Sequence, residues 1–323
     1  APPSTSPPQP PATAVATTSS AAAAPAPAAA STVQVRAAQV IVTTPPPENK
    51  DMPSLYCFVL VHKDSEEPWL MRAQLQKGVG IFGCNSYTFF SDQAVTIGFQ
   101  SADFWVSAVV LSGEKAYLGA VPGSAEKAWH NTGIFIAAWH WIYQSGQHRN
   151  HDWTVKVDPD TVFLPTRLQL KLQQRRAPRV MTSYKHFMSY VDPTKPMYLV
   201  NCKQWYSLQG PLEVFSQPAA DQFFQGIGLC QSKLDWRSWG EDWFVSRCMD
   251  LLKVQKREGW GLLDDMYCGS PYGETGHTYV EETRLKGAVC TDGKPAYHAY
   301  KTVANLTRCL DQALSDGDVI VSK

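Results

Sequence analysis

The chain has 323 residues, with 29 basic and 29 acidic side chains that give a formal net charge of zero. That balance, with no basic stripe, argues against a nucleic-acid binder, and no run of about 18 apolar residues is present that would cross a membrane. The opening "APPSTSPPQPPATAVATTSSAAAAPAPAAAST" is almost entirely Ala, Pro, Ser and Thr, without one aromatic ring.

Such a segment cannot bury enough apolar surface to offset the entropy of ordering, so residues 1–50 read as a disordered stalk, a composition that also suits O-linked sugars. Starting the chain near Pro46 is therefore expected to leave its melting temperature unchanged. A large drop in a thermal melt would show that the tail docks. From Met52 onward aromatic residues are frequent, and residues 51–323 read as the globular part, enough for one large domain or two intimate ones. Because the sequence begins at Ala1, a signal or membrane anchor is expected only in a longer precursor.

"LYCFVLVHK" (55–63) is a continuous apolar run and reads as a buried strand of a parallel sheet. "EPWLMRAQLQKGV" follows with helical spacing. "SYTFFSD" (86–92) and "QAVTIGF" (93–99) read as strands around a turn. "SAEKAWHNTGIFIAAWHWIYQSG" (124–146) is the clearest helix, with Ser124 as its N-cap and Gly146 as its stop. "WTVKVD" is a buried strand again. Strands alternating with helices imply an α/β sheet with helices on its faces, and such sheets bind ligands beyond the carboxyl ends of their strands.

One strand ends in that way. "DWTVKVDPDTVFLP" (152–165) sets Asp158 and Asp160 on either side of Pro159. Neighbouring carboxylates repel and proline does not continue a strand ladder, so the pattern makes sense if a positive charge lies between the acids. A strand-end acid pair can hold a hard divalent cation through oxygen while a diphosphate completes its shell. A second triplet, Asp316-Gly317-Asp318, has no buried strand before it and reads as a solvated turn.

The eight cysteines all lie in the globular part, and none forms a CxxC pair, which argues against a zinc ribbon or a thioredoxin-type motif. An even count spread over a large domain favours disulfides in a secretory compartment, and "NLT" at Asn305 is an N-glycosylation sequon.

"WTVKVDPDTVFLPTRL" resembles the metal-binding segment of inverting glycosyltransferases of family 31, which include the core 1 galactosyltransferases, the fringe proteins and the chondroitin-type enzymes. The shared pattern is an aromatic-initiated strand, a lysine, an acidic triplet, then Thr and an apolar pair; here the middle acid is Pro159. "LYCFVLVHKDSEEPWLMRAQLQKGVGIFGCNSYTFFSD" resembles the family's opening, and Trp129 the tryptophan that opens the helix before the metal strand. "LQGPLEVFSQPAADQF" resembles its glycine-rich turn, "GEDWFVSRCMDLLKV" its acidic helix start and "AYHAYKT" its late histidine segment. The sequence departs from the pattern at "GVGIFG", which replaces a Thr-Trp pair, and at Pro211, which follows Gly210 in place of a second glycine. "DDMYCGSPYGETGHTYVEETRLKGAVC" (264–290) has no counterpart and is expected to carry acceptor contacts.

The resemblance implies a GT-A-type, Rossmann-like mixed sheet flanked by helices. It also implies a metal-dependent inverting transfer of a hexose, galactose favoured and β-1,3 in type, from a UDP-sugar to a hydroxyl of a glycan or glycoprotein. Manganese would be held by Asp158, Asp160 and His298. Asp242 would be the general base, with Glu241 beside it either a secondary site candidate or a support for the helix start, and Arg72, Asp92 and Lys301 would contact the donor. The Golgi lumen is the favoured location, with secretion as the alternative. The resemblance also supports a Cys57–Cys84 disulfide, joining an early strand to the start of the next. The other expected pairs are Cys202–Cys230, Cys268–Cys290 and Cys248–Cys309. The competing reading is a non-catalytic chaperone or glycan-binding relative on the same fold.

Overall fold

The computed structural model describes residues 52–101, 104–112, 116–120, 127–174, 188–202, 208–265, 268 and 290–315. The stalk, the Asp316-Gly317-Asp318 triplet and most of the 264–290 segment lie outside the described residues.

Strand β1 (Leu55–Val61) leads into helix α1 (Glu67–Lys77), which carries Pro68 in its first turn and stops at Gly78 in the left-handed conformation (φ 64°). After it come β2 (Ser86–Ser91), β3 (Thr96–Ser101), β4 (Phe104–Ser107), β5 (Val109–Val110), β6 (Tyr117–Ala120) and β7 (Lys127–His130). Helix α2 (Thr132–Ser145) precedes β8 (Trp153–Val157), β9 (Val162–Phe163) and α3 (Pro165–Gln174). The second half holds β10 (Met197–Val200), β11 (Leu212–Ser216), α4 (Gln217–Lys233), α5 (Glu241–Leu251), β12 (Gln255–Glu258), β13 (Leu263–Asp265), β14 (Ala296–His298) and α6 (Val303–Ser315).

Seven strands form the main sheet in the order β12-β10-β11-β8-β1-β2-β5. β1 runs parallel to both β2 and β8, whereas β11 is antiparallel to both its neighbours. The expected Rossmann-like mixed sheet flanked by helices is therefore present. Chain order moves outward from β1 in one direction through β2 and β5, then returns to β8 on the other side. That reversal is the switch point at which open sheets bind ligands.

Both faces of the sheet are covered, which is why β1 reads as an unbroken apolar run. Leu55, Cys57, Val59 and Val61 join one core cluster, with Phe89, Val155 and Val214. Tyr56 and Phe58 point the other way and join Phe90, Phe215 and Trp139 of α2. The Trp139 ring meets Phe58, Phe215 and Phe223 edge-on at 5.1, 5.3 and 5.1 Å between centroids. A buried ring so placed is worth about 3–5 kcal/mol relative to alanine.

Three local expectations are corrected. α2 starts at Thr132 and not near Ser124, because Lys127–His130 pairs with Tyr117–Ala120 as a two-stranded ribbon, which also puts Trp129 on a strand. β3 does not turn back on β2; it pairs with β4, while β2 belongs to the main sheet. Cys57–Cys84 is present, but the other bridges are Cys202–Cys268, Cys230–Cys248 and Cys290–Cys309. α4 and α5 are consecutive and pack in one cluster, which brings Cys230 and Cys248 within 5.4 Å between Cα atoms. Cys290 and Cys309, likewise 5.4 Å apart, tie α6 to the chain ahead of β14.

Candidate metal and catalytic site

β8 ends against the Asp158-Pro159-Asp160 turn, closed by the Thr161 N–H donating to the Asp158 carbonyl at 3.1 Å. Proline occupies the second position of that turn, where its fixed φ is already the one required. The Pro159 carbonyl accepts from Nε2 of Gln74, a residue of α1 only 2 % exposed, at 2.8 Å. The Pro211 carbonyl accepts from the Asp158 N–H and from Thr161 Oγ1, each at 3.3 Å, and the Asp160 carbonyl accepts from the Tyr300 N–H at 2.9 Å. Each proline serves through its carbonyl, and the turn is held from three sides.

The two acids and His298 each offer one ligand atom, and these atoms lie within 4.8 Å of one another. Parallel pairing of β13 with β14 sets Asp265 opposite His298, and Asp265 Oδ2 lies 2.5 Å from His298 Nδ1. That contact fixes the ring and leaves Nε2 facing Asp160 Oδ2 at 3.4 Å. Burial would lower the imidazole, but the charge and hydrogen bond of Asp160, with Asp265 behind, push it up to about 9. Burial would raise Asp160, yet His298 and Lys301 outweigh it and hold the carboxyl well below its usual range. Two carboxylate oxygens and one oriented imidazole nitrogen make a group that could hold a metal ion.

Behind the turn lies Lys156, 1 % exposed, whose Nζ is 2.6 Å from Asp158 Oδ1, donates to the Gly210 carbonyl at 2.9 Å and pairs with Glu241. Glu213, fully buried, sits opposite it in the strand register and beside the Glu241 carboxyl. Burial and the Glu241 charge raise Glu213 well above the usual carboxylate range. Gly210 is needed without a side chain: a Cβ there would stand 3.1 Å from Lys156 Nζ and 3.3 Å from Glu241 Oε1.

Glu241 and Asp242 open α5. The Glu241 N–H donates to Asn131 Oδ1 at 2.9 Å, so α5 begins where α2 begins. Asp242 Oδ1 accepts from the Trp243 N–H at 2.7 Å and Oδ2 from the Gly210 N–H at 3.3 Å. Burial, and then the Glu241 charge, push Asp242 up to about 7 against the opposing pull of Lys156. Lys156 and Gly210 therefore join the Asp158-Pro159-Asp160 turn to Asp242. Glu241 does more than support a helix start, since it is the buried counter-ion of Lys156.

Of the expected donor contacts, Lys301 reaches the site and pairs with Asp160. Asp92 closes β2 with Oδ2 at 3.7 Å from His62 Nδ1, just past the end of β1. Arg72 is not brought to the metal ligands. It lies on the face of α1 away from buried Leu70, Met71 and Gln74, donates through Nε to the Ile97 carbonyl at 2.8 Å and stacks on Trp69. There it lines a cavity of ≈ 270 Å³ with Lys63 and Ser65. The residues that sequence reasoning missed are Lys156, Gln74, Asp265, Asn131 and Glu67. Glu67 accepts the His62 N–H at 2.6 Å and is pushed up to about 7 by burial. Only Lys156 gave a signal, as a charge within an apolar strand.

No protein-family model matches the sequence, and no curated protein matches it. Among solved structures, the chain is similar to one described as "crystal structure of a glycosyltransferase involved in the glycosylation of the major capsid of PBCV-1", with 10 % identity, a TM-score of 0.39, and coverage of 80 % of this chain and 100 % of that chain.

Proposed function

We propose that this chain is an inverting glycosyltransferase that moves a hexose, with galactose favoured and a β-1,3 linkage, from a UDP-sugar to a hydroxyl of a glycan or glycoprotein. The observation that carries the reading is the Asp158, Asp160 and His298 group at the switch point, joined through Lys156 and Gly210 to a carboxyl raised to about 7. Asp158, Asp160 and His298 would hold manganese, which when bound neutralises charge on the leaving diphosphate. Asp242 takes the proton of the acceptor hydroxyl as its oxygen bonds to the anomeric carbon and the bond to the diphosphate breaks on the opposite face, which inverts the centre. A carboxyl near the working pH suits that task. Asp92 and Lys301 would meet the nucleotide and its phosphate.

Residues 1–50 act as a stalk and residues 51–323 as the catalytic domain. Bridging of all eight cysteines supports a place in the secretory pathway, with the Golgi lumen favoured. Among the described residues no helix is long and apolar enough to cross a membrane.

The test is UDP release from UDP-galactose, UDP-N-acetylglucosamine and UDP-glucuronic acid, with and without manganese. Release that requires the metal supports the transferase, whereas tight glycan binding without turnover supports the chaperone or glycan-binding reading. Asp160→Asn is expected to abolish the metal-dependent release while leaving the circular dichroism spectrum unchanged, since one ligand charge is lost at a strand end. Retained release in that variant would remove the metal role of the turn.

A further inference from the structure

Two lysines neutralise the two carboxylates of the Asp158-Pro159-Asp160 turn, and they differ in their freedom to leave. The Lys156 side chain is 2 % exposed and is also bound to the Gly210 carbonyl and Glu241, so its ammonium has nowhere else to go. The Lys301 side chain is 76 % exposed, and among the described residues Asp160 is the one carboxylate with which it forms an ion pair. Its ammonium can pass into water at the cost of that single pair.

The oxygen it holds is contested. Asp160 Oδ2 meets Lys301 and also faces His298 Nε2 at 3.4 Å, so it belongs to the same carboxylate that a cation seated among Asp158, Asp160 and His298 would use. Two cations on one carboxylate oxygen repel each other, and the exposed one is the one able to yield. We propose that Lys301 is an exchangeable counter-ion. It holds Asp160 until a divalent cation takes that carboxylate, and then turns its freed ammonium to the donor diphosphate. This rests on the metal-dependent reading above and adds to it an order of loading, in which the cation releases the group that binds the nucleotide. By linkage the nucleotide then strengthens cation binding to the same degree.

The prediction is a reversal of sign, read by calorimetry with Mn²⁺ and UDP and needing no turnover. Lys301→Met is expected to bind Mn²⁺ alone about two- to five-fold more tightly than the wild type, because the cation no longer displaces an exposed ion pair. The same variant is expected to bind UDP at saturating Mn²⁺ about ten-fold more weakly, through loss of a charge-assisted hydrogen bond. Lys301→Arg keeps the charge and should bind Mn²⁺ alone as the wild type does. The exposure of Lys301 leaves the fold of these variants intact, which circular dichroism checks. If Lys301→Met binds Mn²⁺ alone no more tightly than the wild type, while Asp160→Asn loses Mn²⁺ binding, the exchange is wrong and the metal site stands. Equal UDP affinity in the two proteins would also overturn the exchange. If the wild type binds no more Mn²⁺ than Asp160→Asn, the metal site and the exchange fall together.

Discussion

Asp242→Asn is expected to lower turnover by roughly 10²–10⁴-fold, the range for a positioned acid–base group, with UDP and Mn²⁺ affinities unchanged. The asparagine carbonyl can still accept the Trp243 N–H that Asp242 accepts at 2.7 Å, but the amide has no basic electron pair. Two pH signatures accompany the loss. Burial and Glu241 push Asp242 up to about 7, so the basic form appears as pH rises through that value. The wild-type rate should climb between about pH 6 and pH 8, and the residual rate of the variant should not.

Stability should move the other way. An ordinary unfolded aspartate titrates near about 4, so between there and about 7 the folded protein holds this proton more firmly, and stability falls as pH rises across the window. Asp242→Asn lacks the group and should lose less stability over the same window. UDP release and urea midpoints at several pH values measure both. If Asp242 only complements the helix end, the variant keeps its rate and loses about 0.3–1 kcal/mol.

Lys156→Met should carry the largest stability cost of any single change near the site, about 3–5 kcal/mol, the range for removing one partner of a buried ion pair. Burial alone would lower this lysine, but Asp158, Glu241 and Glu213 raise it instead, so it stays charged in the interior. Methionine can fill the space of the stem while leaving Asp158 and Glu241 with no cation between them. Adding Glu241→Gln to Lys156→Met should recover part of the loss by removing one of the stranded charges, a coupling that a double-mutant cycle in urea reads directly. A loss below about 1 kcal/mol would mean that the acids neutralise themselves by taking up protons.

The parts of this fold that were legible are those where a local pattern and the tertiary structure agree. β1 and β8 show as apolar runs because both faces of the sheet are covered, and Gly146 marks a helix end because it stands in the left-handed region. The start of α2 was misplaced because Ser124 satisfies a capping rule, whereas strand pairing across Tyr117–Ala120 decides the conformation of Lys127–His130. The site divides in the same way. Asp158 and Asp160 stand at the end of a readable strand. Asp265 acts on His298 only through the register of β13 with β14, and Lys156 meets Glu241 only because α5 begins beside Asn131. Neither relation leaves a trace in residue spacing. The proline that broke the acidic triplet stands at the second position of a closed turn, a place where proline is favoured.

The bridges also bear on how the chain is made. Written in chain order they nest like brackets: Cys57 closes with Cys84, Cys202 and Cys268 enclose Cys230 and Cys248, and Cys290 closes with Cys309. No bridge crosses another. For a chain emerging into an oxidising compartment, Cys84 would meet a partner already present, Cys248 would find Cys230 only 18 residues behind it, and the last bridge spans 19 residues. The one long span, 66 residues, leaves Cys202 waiting while a shorter loop closes inside it. Cys202 is therefore the thiol exposed longest to a wrong partner, and the step at which an isomerase would matter most during biogenesis is the release of a premature Cys202–Cys230 bond.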